Sequence, residues 1–89
     1  MIEYRARLSK KALKTLQKID KPTRLLLFSW IRDNLDGCSN PRIKGKALSG
    51  NMSNLWRYRV GDYRIIAEIN DKDLVILVVQ IGHRRDVYR

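Results

Sequence analysis

The sequence predicts a two-layer α+β domain: an N-terminal strand, an α-helical hairpin, then three antiparallel strands that complete a four-stranded sheet. Three observations predict it. Residues 2–8 alternate between apolar and polar side chains. Residues 12–35 carry apolar side chains at helical spacing, interrupted once. Residues 55–81 hold three runs rich in β-branched and aromatic residues, separated by short polar turns. Helices gathered on one side of an antiparallel sheet give two layers and leave the other sheet face without a helical cover. At 89 residues the chain is one domain, spanning 1–89.

The first strand runs from Ile2 to Leu8, with Ile2, Tyr4, Ala6 and Leu8 on one face and Glu3, Arg5 and Arg7 on the other. Ser9 is placed to cap a first helix, whose apolar side is Ala12, Leu13, Leu16 and Ile19, with lysines opposite as a solvated face. Asp20-Lys21-Pro22 breaks that helix and starts a second, since proline is tolerated in a first turn. The second helix is expected to run to about Asp36, with Leu25, Leu26, Phe28, Trp30, Ile31 and Leu35 as its apolar side, and to stop at Gly37. Residues 38–53 read as a loop that Ile43, Ala47 and Leu48 tie down by packing. Sixteen residues without regular structure is long for a compact domain and points to a functional role.

The closing strands are Leu55–Val60, Tyr63–Asn70 and Leu74–Ile81. Gly61-Asp62 is a two-residue link with glycine first, which suits a type II′ turn. That turn pairs Val60 with Tyr63 and therefore Arg59 with Arg64. Trp56, Tyr58, Val60, Tyr63, Ile65, Ala67 and Ile69 then share the helix-covered face. Leu55, Arg57, Arg59, Arg64, Ile66 and Glu68 share the other. The last strand is apolar at almost every position and is expected inside the sheet. A three-residue loop at 71–73 would set Gln80 opposite Arg64 and lean Arg84 toward the same face.

The formal net charge is +10, from 19 Lys and Arg against 9 Asp and Glu, and it calls for an acidic partner. Most of the excess is on residues 1–54, but the geometrically ordered charge is on the strands. Like charges directly opposite each other destabilise a hairpin. Arg59 facing Arg64, with Arg57 beside them, is therefore best explained by an anion that belongs between them. A single cysteine, Cys38, rules out an intrachain disulfide, and with His83 as the only histidine no Cys/His metal site can form. No cofactor is expected. The chain has no apolar run long enough for a membrane span and no signal-peptide pattern at its start, so a cytoplasmic protein without a membrane partner is expected.

The stretch Trp56-Arg57-Tyr58-Arg59-Val60-Gly61-Asp62-Tyr63-Arg64-Ile65-Ile66, an apolar strand, and then Gly82-His83-Arg84-Arg85-Asp86-Val87-Tyr88-Arg89 resembles the RelE/ParE superfamily of bacterial and archaeal toxins. The early strand, the helical hairpin and Lys44-Gly45-Lys46-Ala47-Leu48-Ser49-Gly50 fit the same pattern. The resemblance implies a microbial-ribonuclease, RelE-like fold. It also implies a toxin of a type II toxin–antitoxin pair that cleaves mRNA in the ribosomal A site, with the RNA's 2′-hydroxyl attacking the adjacent phosphate. The family's basic residues fall on Arg57, Arg59, Arg64 and Arg84, and its C-terminal tyrosine on Tyr88. Lysine commonly fills the positions of Arg57 and Arg59. Arginine does not give up its proton, and His83, the one side chain that titrates near neutrality unperturbed, is a candidate for proton transfer. The implied partners are a short RelB-like antitoxin, the ribosome and mRNA, with DNA reached only through the antitoxin complex. Two other roles stay open: a ParE-type poison of DNA gyrase, and an inactive toxin-like partner in a repressor complex.

Overall fold

The computed structural model of the chain describes residues 2–48 and 55–83. The order is β1 (Arg5–Leu8), α1 (Lys10–Lys18), α2 (Lys21–Asn34), β2 (Lys46–Ala47), β3 (Leu55–Val60), β4 (Tyr63–Asn70) and β5 (Val75–His83). The predicted α+β layering holds, but the sheet has five strands rather than four, in the order β1-β5-β4-β3-β2. It is also mixed rather than antiparallel, because β1 runs parallel to β5. The added strand, β2, lies in the segment expected to be irregular. Its two residues pair with β3 as Lys46 with Arg57 and Ala47 with Trp56.

Helix α1 begins where the sequence says. The Ser9 hydroxyl accepts the Ala12 N–H at 3.1 Å and donates to the Val79 carbonyl at 3.2 Å, so one side chain caps the helix and ties it to β5. Ile19 and Asp20 are extended and separate the two helices. The Asp20 carboxylate caps α2 by accepting the Thr23 backbone N–H at 3.1 Å and the Thr23 hydroxyl at 2.9 Å. Those bonds, the backbone one first, hold its pKa below the usual carboxylate range.

The apolar side of α2 differs from expectation. Leu25, Leu26 and Phe28 are exposed, at 54%, 55% and 38%, while Leu27 is fully buried with Ile31 and Leu35. Leu27, Ile31 and Leu35 repeat every fourth residue and form the stripe that meets the sheet. A continuous run of four apolar residues carries no phase of its own, so the sequence could not say which of them faces inward.

The core lies between the helices and one sheet face. It joins Tyr4, Ala12, Leu16, Leu27, Ile31 and Leu35 to alternating strand residues, among them Tyr58, Ile65, Ala67, Ile76 and Val78. Ile66 is buried but stands outside this cluster, because it points to the opposite face. Tyr58 is the largest fully buried side chain, and its hydroxyl donates to the buried Pro41 carbonyl at 2.6 Å. Burial pushes the Tyr58 pKa far above the ordinary phenol value. Tyr58→Phe keeps the ring and strands that carbonyl, so it should cost about 1–3 kcal/mol in chemical denaturation.

Candidate functional site

Gly61 takes a φ of +61° and Asp62 does not take a positive one, as a type II′ hairpin requires. Val60 then pairs with Tyr63, and Arg59 stands directly opposite Arg64. Arg57 is two residues along the same face. Lys46 of β2 stands directly opposite Arg57. Two facing pairs of like charge therefore sit side by side on three adjacent strands. Arg57, Arg59, Arg64, Lys46 and Gly45 line one open depression. Arg57 and Arg64 are half-buried and Arg59 is exposed. The side chains of Arg59 and Lys46 make no hydrogen bond or ion pair with a described residue.

Sequence reasoning found the three arginines and missed Lys46. The signal was present in Lys44-Gly45-Lys46, but only the pairing of β2 brings Lys46 to the arginine face. A strap of polar contacts makes that pairing possible. The Trp56 indole N–H donates to the Lys44 carbonyl at 2.6 Å, and Lys44 Nζ donates to Asn34 Oδ1 at 2.5 Å. Arg42 grips both oxygens of Asp71, at 2.9 and 3.0 Å, and lies over the Trp56 ring. The Tyr4 hydroxyl donates to the same carboxylate at 2.6 Å. Packing by Ile43 and Ala47 has no part in this: Ile43 is 74% exposed and Ala47 is exposed as well.

The Arg42 fork first, and the Tyr4 hydroxyl second, hold the Asp71 pKa below the usual carboxylate range. A carboxyl whose folded pKa is depressed contributes stability above its unfolded value of about 4 and loses it as the pH falls through the folded value. Asp71→Asn should therefore flatten the fall of Tm with acid below about pH 4, read as Tm against pH beside the parent. Asp71 is largely exposed, so the difference should be small.

The loop into β5 has four residues rather than three, because Asn70 pairs with Val75. A bulge opposite Ile66 and Ala67 then adds one residue, Val79, to β5. Arg64 consequently faces Gly82, and Gln80 faces Ile66. The two offsets add to two residues, so the arginine face keeps its parity. His83 does not join that face. It pairs with Tyr63, their rings meet edge-on at 5.6 Å, and both line a second depression with Lys11 and Lys18 of α1. Arg84 and Tyr88 lie outside the described residues.

Solved structures share this architecture over nearly the whole chain. The toxin–antitoxin complex RelBE2 from Mycobacterium tuberculosis matches at a TM-score of 0.83 and 23% identity, covering 97% of both chains. The archaeal RelE–RelB complex from Pyrococcus horikoshii matches at 0.74 and 32%, covering 96% of this chain and 99% of that one. The isolated RelE toxin of E. coli matches at 0.73 and 27%, covering 96% and 90%. No curated protein sequence matches the chain. Fold and site together define a toxin of the RelE/ParE superfamily. The family model described as the ParE toxin of the type II toxin–antitoxin system parDE matches residues 6–88, and the chain belongs to that family. No helix among the described residues is long and apolar enough to cross a membrane.

Proposed function

We propose that this toxin is a ribosome-dependent endoribonuclease that cuts mRNA in the A site and so stops translation. The observation that supports this reading is the meeting of Arg57, Arg59 and Arg64, with Lys46, on a face without a helical cover. In the reaction the 2′-oxygen attacks the adjacent phosphorus as its proton leaves, the bond to the 5′-oxygen breaks, and that oxygen takes up a proton. The products are a 2′,3′-cyclic phosphate and a 5′-hydroxyl. The intervening phosphorane carries extra negative charge, and fixed cations around it lower its energy. Guanidinium forks grip its equatorial oxygens in pairs. Arg84 is proposed as a further phosphate contact and Tyr88 as a ring that stacks on a base beside the cut. His83 lies on the Tyr63 side of the sheet, away from the arginines, so no proton is routed through it here.

The partner proposed is a RelB-like antitoxin with acidic and apolar segments, able to cover the basic face and the exposed Leu25, Leu26 and Phe28. RelB is the partner in several of the similar structures.

The family match carries the ParE name and favours a second reading, a gyrase poison that is not itself an enzyme. Primer extension on translating mRNA after a pulse of expression separates the two. Codon-phased cuts are expected. Intact mRNA with a DNA-damage response would give the second reading, and neither effect would leave an inactive partner in a repressor complex.

A further inference from the structure

The pairing of β1 carries the basic face beyond the depression. Arg5 stands beside Val75 and Arg7 beside Leu77 in the parallel ladder with β5. Their neighbours Ala6 and Leu8 pack against the core, so Arg5 and Arg7 point to the side the helices do not cover. Both are exposed, and their side chains have no hydrogen bond or ion pair with a described residue. Among the described residues, the strand side chains facing that side thus include six cations, Arg5, Arg7, Lys46, Arg57, Arg59 and Arg64, against one carboxylate, Glu68.

The spacing suits a chain of phosphates rather than one anion. Arg7 shares a cross-strand row with Leu77, Glu68 and Leu55, and Arg57 lies one row further along. Three strand spacings and two residues of rise separate the Arg7 and Arg57 backbones by about 16 Å. No single phosphate touches both ends, whereas an extended strand of a few nucleotides does. An edge strand gains protection from charged residues of any placement. Here both charges are on the face that holds the arginine cluster.

We propose that Arg5 and Arg7 form a second grip on single-stranded RNA, holding phosphates a few nucleotides from the one at Arg57, Arg59 and Arg64. This inference rests on the reading of that cluster as the RNA cleavage site. The two grips make the toxin's affinity depend on RNA length, because only a strand that spans the sheet engages both.

The test uses the full chain with 2′-O-methyl RNA, which has no attacking hydroxyl, as a trinucleotide and as a nonanucleotide in a titration across salt concentrations. The parent should bind the longer strand more tightly. Arg5→Gln with Arg7→Gln should weaken the nonanucleotide about tenfold at low salt and reduce its salt slope by about 1.4, from about 0.7 per phosphate contact on a single strand. Trinucleotide binding should not change. Arg5→Lys with Arg7→Lys should keep the parent's slope, which separates lost charge from lost fold. Lys14→Gln with Lys21→Gln removes the same charge from the helices and should leave the slope near the parent's. An equal fall in that control, no length dependence in the parent, or an unchanged slope in the β1 variant overturns the second grip. Arg57→Ala with Arg64→Ala should abolish trinucleotide binding. Unchanged trinucleotide binding there refutes the cluster itself, whichever way the β1 variant behaves.

Discussion

Arg64→Ala should lower cleavage of ribosome-bound mRNA by about two orders of magnitude or more, while the protein stays folded. The size follows from what a fixed cation does at a phosphorane. Removing one preorganised donor of this kind costs about 2.7–4 kcal/mol of transition-state stabilisation. Arg64 is half-buried and stands opposite Arg59 at the head of the depression, where partial exclusion of water strengthens its field. Arg57→Ala should behave alike, because Arg57 faces Lys46 in the neighbouring pair. Arg57→Lys should recover part of the loss, since lysine restores the charge but not the two-pronged grip. Relief of like-charge repulsion offsets part of what each side chain's own contacts contribute. A large loss of activity with a nearly level Tm is the signature of groups kept for an anion. Wild-type cutting in both alanine variants, assayed by primer extension, would sink the assignment.

Gly45→Ala should damage the site without touching a charge. Gly45 has a φ of +79°, and a Cβ there would lie 2.2 Å from the Arg57 carbonyl oxygen and 2.9 Å from Trp56 Nε1 and Tyr58 Cδ1. No side-chain rotation relieves a collision with backbone. The left-handed conformation alone costs an alanine about 1–2 kcal/mol, so the segment is expected to withdraw from β3. Lys46 then leaves its place opposite Arg57, and the strap from Pro41 to Lys44 loosens with it. The expected result is a drop in stability of at least about 2 kcal/mol together with at least a tenfold fall in cleavage. Gly37, also at positive φ, is the comparison. A Cβ there meets nothing within 4 Å, so Gly37→Ala should carry the conformational cost alone and keep its activity. Equal activity losses in the two variants would show that close approach at Gly45 is not what matters.

Much of this arrangement could be read before any coordinates. The β3–β4 hairpin was legible to the residue, because alternation sets the faces and Gly61-Asp62 permits one register. From that register the meeting of Arg57, Arg59 and Arg64 follows directly. Ser9 marked the start of α1 through local chemistry, whereas α2 ends at Asn34, ahead of the Gly37 expected to stop it. What escaped depends on contacts distant in sequence. Strand β2 has two residues, too few to show a period, and exists because Trp56 and Asn34 hold Lys44 in place. The partner of β1 is set by a parallel ladder 70 residues away along the chain. The bulge at Val79 lies in a run of apolar residues where alternation gives no warning. With the four-residue loop, that bulge is what sets His83 beside Tyr63 rather than on the arginine face.

The same bulge governs what stands next to Arg64. If β5 instead continued its pairing past Val78 without a bulge, Ile81 would stand opposite Arg64, and a branched aliphatic side chain would crowd the guanidinium while the core lost its filling. With it, Ile81 stays indoors and glycine, which projects nothing, becomes the neighbour. One unpaired residue thus keeps hydrocarbon out of the ground proposed for a phosphate.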